Sequence, residues 1–411
     1  MSPAENGAPG GAAPWLTLVG IGEDGLDGLT PIARRAVEEA GRIFGGARHA
    51  ELVAALGKSV TPWPSPFEAG AGMLLAGRGT PTVVLASGDP MWFGVGATLA
   101  RVLAPHEMLV LPAPSSLSLA AARLGWPLQE TETLSLHGRP LDLLRGVLFP
   151  GARILCLTSG VAAADEISDL LVDEGYGASR ITVLEHLGGP RERVLAAMAE
   201  SWRGPVAALN VIAIEAQAVA NTPLRARVPG LADDAFRHDG KITKREIRAV
   251  TLARLMPVPG ALLWDIGAGS GAVAIEWLRA APRSQAIGLE PDDARRATAR
   301  ANAAALGVPQ LDLRAASAPD GLADLPPPDA IFFGGGLTAP GALEAALAAL
   351  KPGGRLVANA VTLESEAVLA AAHARHGGEL ARIAISRAGP VGGMTGWRPL
   401  MPVTQWSFIL P

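Results

Sequence analysis

Residues 262–277, LLWDIGAGSGAVAIEW, leave this chain few ways to fold. An apolar run, Leu262 to Trp264, leads into Asp265. Gly267, Gly269 and Gly271 follow at alternate positions, and then comes an apolar, helix-compatible segment. The order is buried strand, tight turn, helix N-terminus. Glycines in such a turn accept positive φ and let the backbone approach a ligand closely, beside the free amides of the helix start. A nucleotide-like cofactor on this turn is the first expectation; a βαβ turn without one is the plain alternative.

Two cofactor classes compete. Gly267, Gly269 and Ala272 satisfy the relaxed G-x-G-x-x-G/A dinucleotide fingerprint, and Glu290 lies about 20 residues on, where a ribose-binding acid is expected. Asp265 tips the balance. A carboxylate at the strand end suits the ammonium of a methionine moiety and would repel a pyrophosphate on the same amides. The motif resembles the first motif of class I S-adenosylmethionine (SAM) methyltransferases. That resemblance implies cofactor contacts at Asp265, Gly267, Gly269 and Gly271, with Glu290 bridging two ribose hydroxyls.

The flanking pattern agrees. Strands are expected at 286–290, 311–314 and 329–333, with helices at 292–306 and 340–350. KPGGRLV (351–357) is a glycine turn into a fifth strand, and 380–386 and 404–410 read as closing strands. This order resembles class I methyltransferases; dinucleotide dehydrogenases lack the terminal hairpin. AASAPD (315–320) offers Ser317 where many methyltransferases hold the adenine amine with an acid, so that contact moves to backbone at Ala318. After strand four, IFFGGG offers only backbone where enzymes acting on exocyclic amines carry Asn/Asp-Pro-Pro-aromatic, which fits a carbon nucleophile. Upstream, Thr243 and Glu246 form a capping-box pattern for a helix to about Leu255. His238, Lys241, Lys244 and Arg245 crowd its approach, either as solvated charge or as a lid meeting substrate carboxylates.

The first 200 residues carry a second set of dispersed motifs. Strands are expected at 15–20, 82–86, 108–111, 153–157, 181–184 and 207–214. Thr30-Pro31 is a helix start, with Arg34 and Arg35 on the exposed face. A helix at 117–124 ends at Gly125. VGIG…GLT, LASGDPMWFGVG (85–96), PAPSSLSLAAARLGWP (112–127), ITVLEHLGGPRERV (181–194) and LNVIAIE (209–215) together resemble the tetrapyrrole methylase family, whose members bind SAM in a cleft between two α/β lobes. The resemblance implies that Ser87, Gly88, Asp89, Trp92, Ser115, Ser116, Thr158 and Asn210 line that cleft. Asp89 could instead be a loop cap. Glu23-Asp24 stand where the family has Pro-Gly, and Ala113-Pro114 replace a usual Gly. In SLHGRP (135–140), His137 and Arg139 suit carboxylate recognition by a guanidinium fork, or belong to a solvated loop.

Composition excludes several classes. The net charge is −4, Arg outnumbers Lys, and no long basic block occurs, which argues against nucleic acid but not against a local Arg pocket. Cys156, the one cysteine, sits in the apolar run ILCLT and reads as a small buried hydrophobe in a reducing cytosol. No apolar run reaches the roughly 18 residues that span a bilayer, so a soluble, cytoplasmic protein is expected. His373 and His376 lie three apart on an expected helix with no third ligand nearby, so no metal is expected.

The expected layout is a disordered tail (1–13), a two-lobed tetrapyrrole methylase domain (14–222), a linker (223–236) and a Rossmann-like class I domain (237–411). The combination of TKREIR, DIGAGSG and FFGGG with the N-terminal motifs resembles the decarboxylating precorrin-6Y C-methyltransferase family, which also adds Thr243 to the cofactor set. The resemblance implies methylation at carbons 5 and 15 of a tetrapyrrole and loss of the ring C acetate carboxyl. It places one SAM site in each domain, with decarboxylation and carbon 15 assigned to the C-terminal one. His137, Arg139, His238, Lys244 and Arg245 are the expected substrate contacts, and a homo-oligomer is expected. An RNA or diphthamide-type methyltransferase and a non-enzymatic tetrapyrrole carrier stay open as alternatives.

Overall fold

The computed structural model describes residues 14–64 and 67–411. The tail expected over residues 1–13 lies outside them. The described residues form two compact units, one of those up to Arg139 with Pro150–Thr222, the other of Pro140–Phe149 with Pro223–Pro411.

The first unit has two lobes. Its first lobe runs β1 (Leu16–Ile21), α1 (Pro31–Glu39), β2 (Ile43–Gly45), α2 (Ala47–Leu52), β3 (Val60–Pro62), α3 (Phe67–Ala76), β4 (Thr82–Ser87), α4 (Val95–Leu99), β5 (Met108–Leu111) and α5 (Ser116–Leu124). The strands form a parallel sheet in the order β3-β2-β4-β1-β5. Buried on both faces, β1 and β4 are apolar runs rather than alternating ones. Thr30 caps α1 by accepting the Ala33 amide, and Gly125 closes α5 at φ +66°. The second lobe comprises β6 (Glu132–Ser135), β7 (Arg153–Ser159), α6 (Ala163–Asp173), β8 (Arg180–Glu185), β9 (Arg193–Met198) and β10 (Leu209–Glu215). Its sheet order is β6-β7-β10-β8-β9, antiparallel except for β6 on β7. Cys156 is fully buried in β7, and desolvation pushes its thiol up to about 12, which makes it inert.

The second unit follows α7 (Arg245–Leu255), β11 (Leu262–Ile266), α8 (Ala272–Ala280), β12 (Gln285–Leu289), α9 (Asp293–Ala305), β13 (Asp312–Arg314), β14 (Ala330–Phe333), α10 (Ala342–Ala349), β15 (Arg355–Ala360) and α11 (Leu363–His376). Strands β16 (Glu379–Ile383), β17 (Ser386–Val391), β18 (Met394–Pro399) and β19 (Val403–Ile409) complete it. The seven-stranded sheet has the order β13-β12-β11-β14-β15-β19-β16, with only β19 antiparallel to its neighbours. Strand order reverses between β11 and β14, the kind of switch point where open α/β sheets bind ligands. Trp264, Trp277 and Trp406 are fully buried and anchor the core. β17 and β18 form a separate hairpin that the sequence pattern does not announce.

Three expectations are corrected. Residues 223–236 are not a free linker: Leu231 and Phe236 are buried in the core of the second unit. The backbone amides of Gly230 and Leu231 donate to the Glu276 carboxylate, which also pairs with the fully buried Arg248 at 2.8 Å. The Thr243–Glu246 capping box is absent as well. Helix α7 begins at Arg245 without a side-chain cap, because Glu246 is drawn to the Arg387 guanidinium (2.6 Å) and the Thr243 carbonyl accepts from Arg248. Finally, Pro140–Phe149, expected in the first domain, belongs to the second unit. There Gly146 and Gly307 approach so closely that a Cβ on Gly307 would lie 2.1 Å from the Gly146 nitrogen.

Candidate functional site

The second unit's candidate site is built at the end of β11. Gly267, Gly269 and Gly271 all take positive φ (+75°, +55° and +76°), so each turns the chain where a Cβ would be strained. Their surroundings differ. A Cβ on Gly267 would meet Gly335 backbone at 2.7 Å, and one on Gly271 would meet Ala299 at 3.1 Å, but one on Gly269 would meet nothing within 4 Å. Gly267 and Gly271 serve packing, and the side of Gly269 where a Cβ would stand is open. Glu290, buried beyond β12, accepts the Gly269 amide at 2.9 Å and the Asp292 amide at 3.1 Å.

Asp265 is buried, and its Oδ2 accepts the Ala274 amide at 3.1 Å. Oδ1 has no partner among the described residues. Desolvation, less the help of the Ala274 amide and reinforced by the charge of Glu290, pushes this carboxyl up to about 7. An orphaned buried carboxylate oxygen costs stability and calls for a cation or donor. It fits an ammonium-bearing cofactor and disfavours an anionic one.

The basic segment is tied to this turn by a residue that sequence reading passes over. Asn302 on α9 accepts the Arg237 amide (2.8 Å) and donates to the carbonyls of Arg237 and Ser270 (2.9 Å each). His238 accepts the Gly240 amide, Lys244 donates to the Gly240 carbonyl, and Arg245 is exposed. Ala318 is buried in the core beneath the sheet. The side chain of Thr243 makes no hydrogen bond among the described residues.

In the first unit, both lobes line one cavity of about 580 Å³. It brings together Ser87, Gly88, Trp92, Ser115, Ser116, His137, Thr158 and Asn210. Asp89 and Arg139 are not in its wall. Asp89 caps its own turn by accepting the Met91 amide at 2.8 Å, and Arg139 lies over the Phe93 ring, 5.9 Å from its centre. Asn210 accepts from the Thr158 hydroxyl and donates to the Ala207 carbonyl. Ser115 caps α5 through the Ser118 amide.

The same wall holds charged residues that sequence reading missed as a group: Glu23, Arg48, His49 and His186. Arg48 pairs with Glu23 and donates to the Ser87 hydroxyl at 2.6 Å. His49 accepts the Gly46 amide on Nδ1, so Nε2 bears the hydrogen directed at Ser87 (3.0 Å). With two donors on its oxygen, Ser87 is left to donate its own hydrogen to a ligand acceptor. The one available signal was Glu23 standing where the family carries Pro-Gly. Arg48 and His49 lie on α2, too short a helix to declare itself by periodicity.

Among the described residues no group of three or more His, Cys, Asp or Glu could hold a metal ion, and His376 instead packs near Trp406 and Phe408. No helix among them is long and apolar enough to cross a membrane.

The sheet order, the glycine turn and the orphaned Asp265 oxygen define a methyltransferase. Family comparison sharpens the class. The family model described as "Precorrin methyltransferase domain" matches residues 234–410, and "Tetrapyrrole (Corrin/Porphyrin) Methylases" matches 15–201. A precorrin-6Y C(5,15)-methyltransferase [decarboxylating] from Sinorhizobium sp is 54% identical over 99% of this chain and 99% of its own. A cobalt-precorrin-7 C(5)-methyltransferase from Salmonella typhimurium is 29% identical over 47% of this chain and 92% of its own. A probable cobalt-precorrin-6B C(15)-methyltransferase (decarboxylating) from Pyrobaculum aerophilum is 34% identical over 43% of this chain and 93% of its own. The chain belongs to the precorrin-6Y C5,15-methyltransferase (decarboxylating) family.

Proposed function

We propose that this chain methylates precorrin-6Y at carbons 5 and 15 and removes the ring C acetate carboxyl, in cobalamin biosynthesis, with SAM held once in each unit. The reading includes action in the cytoplasm as a homo-oligomer. One observation carries it: a chain 54% identical to a precorrin-6Y enzyme over 99% of both has a two-lobed cavity in its first unit and, in its second, a glycine turn beside an unpartnered Asp265 oxygen. An RNA or diphthamide-type substrate and a non-enzymatic carrier role find no support among these relatives.

Bound SAM supplies a methyl group on a cationic sulfur, which an electron-rich ring carbon can attack. The protein's task is then alignment and exclusion of water, worth up to ~7–11 kcal/mol. In the second unit, Asp265 Oδ1 is suited to the ammonium, Glu290 to the ribose, the opening at Gly269 to close approach, and Ala318 and Thr243 to the remaining contacts. In the first unit, the cavity side chains Ser87, Ser115, Ser116, Thr158 and Asn210 supply polar contacts, with Gly88 and Trp92 beside them. Arg139 and His137 in the first unit, and His238, Lys244 and Arg245 in the second, would receive ring carboxylates. Moving the departing carboxylate into a poorly solvated place favours its charge-dispersed transition state.

Support for the division of labour comes from the two shorter relatives, one named for C5 methylation and one for C15 methylation with decarboxylation. We assign the first reaction to the first unit and the second to the second. Full-length Asp265→Ala and Glu290→Ala variants should lose decarboxylation and one methylation while a SAM titration still counts one site per chain. Two methyl additions by either variant, read by mass spectrometry, would overturn the assignment.

A further inference from the structure

We infer that His186, oriented by Glu23, is the base that removes the proton from the carbon methylated in the first unit; the inference rests on the division of labour above. The need for a base follows from the chemistry. A meso carbon bears one hydrogen before reaction and a methyl within a conjugated ring after it, so a proton must leave. As the ring carbon's electron pair bonds the incoming methyl, the C–S pair stays on sulfur, and the ring becomes a cation with both hydrogen and methyl on that carbon. The C–H bond then breaks, its electrons restore conjugation, and the proton needs an acceptor inside the cavity.

His186 has that form. It lines the cavity, and its Nδ1 lies 3.1 Å from Glu23 Oε2. Desolvation is the largest single influence on Glu23 and raises its pKa, but the hydrogen bonds and charges of His186 and Arg48 together leave its carboxyl below the ordinary range. A carboxylate only accepts, so Nδ1 carries the hydrogen, and in the neutral imidazole the lone pair falls on Nε2. Nε2 has no partner among the described residues. Orienting a histidine by a carboxylate on one nitrogen, with the other free to take a proton, is the general arrangement for base catalysis.

Two further observations show that the protein holds this pair at some cost. His186 sits at φ +47°, a conformation uncommon outside glycine and kept where surroundings over-determine it. Gly189, three residues on, is packed so tightly that a Cβ there would lie 2.6 Å from Glu23 Cβ. The turn after β8 is thus closed against the Glu23 loop. The other charged groups near the pair include Arg48, His49, His137, the buried Glu185, whose charge acts on His186, and Arg191, its guanidinium 3.8 Å from Glu23.

The test uses the full-length protein and substrate deuterated at the meso positions. His186→Asn tolerates positive φ but has no basic nitrogen, and His186→Gly leaves a hole that imidazole can enter. Both should bind SAM at the native number of sites and keep decarboxylation, yet slow completion of the first-unit methylation by 100-fold or more. A primary isotope effect should appear on that step, and imidazole should restore the glycine variant. Glu23→Gln should act in the same direction, and nitrogen-15 spectra should lose the native preference for Nδ1–H at His186. If His186→Asn keeps the native rate with no isotope effect, the assignment falls. Gly88→Val, which drives a side chain against Pro114 and Ser115 in the cavity wall (its Cβ 2.9 Å from Ser115 Cα), separates the two failures. Should it still permit both methylations, the division of labour falls and takes the base with it.

Discussion

Glu290 Oε2 accepts the amide of Gly269 at 2.9 Å, so the acid after β12 holds the tip of the turn after β11. Its other oxygen accepts the Asp292 amide at 3.1 Å. The carboxylate therefore shapes the turn. Glu290→Gln would set an NH2 group against one of two amide donors, leaving a buried donor unpaired at ~1–3 kcal/mol. Calorimetry should find the SAM site proposed for the second unit weakened at least tenfold and the one proposed for the first unchanged.

Glycine substitutions should separate packing from binding. Gly267→Ala forces backbone at Gly335 to move on top of positive-φ strain, and should lower the melting of the second unit by ~3 kcal/mol or more. Gly269→Ala meets nothing within 4 Å and should cost only ~1–2 kcal/mol while losing SAM at that site. Thermal melts with and without SAM read both quantities.

Asp265 makes the second unit sensitive to alkali. Its carboxyl is pushed up to about 7, foremost by desolvation, against an unfolded value near 3.8. Between those values the folded chain keeps a proton that the unfolded chain has released. Stability is therefore full below pH 3.8 and falls as pH rises through 7, by up to about 4 kcal/mol. Asp265→Asn should abolish that slope and stabilise the unit at pH 8 while weakening SAM binding. Urea titrations across pH check the sign.

His49 gives the first unit the opposite slope. Desolvation, then the charge of Arg48, pushes its imidazole down to about 4 from 6.5. Between these values the unfolded chain takes a proton that the folded chain refuses, so stability is lost as pH falls from 6.5 to 4. His49→Gln should flatten this part of the acid response in the first-unit transition.

Gly146 tests the segment given up by the first unit's sequence. A Cβ there would lie 2.9 Å from the Gly307 carbonyl oxygen at the end of α9. Gly146→Val should therefore destabilise the second unit by ~2–4 kcal/mol and spare the first. Calorimetric transitions assigned with SAM-site variants can tell the two apart.

What the sequence made legible follows from physics that acts locally. The buried parallel strands, Thr30 and Gly125 as helix boundaries, and the three positive-φ glycines of the turn were readable because an apolar run, a hydroxyl before Pro and a strained φ each leave a mark within a few residues. Long-range forces erased other marks. Glu246 has the spacing of a capping box, yet Arg387, from a hairpin 141 residues away, holds it instead. Strands β2, β3 and β6 are three or four residues long, too short for periodicity to register. Asp89 bears a family motif but closes its own loop, and Glu23, His186 and Arg48 meet only when the lobes fold.

The loan of Pro140–Phe149 to the second unit changes what counts as a separable piece. A cut at the Thr222–Pro223 peptide, where motifs change character, would sever the second unit from ten of its own residues. Shuffling these units as interchangeable cassettes would need that strap transplanted too.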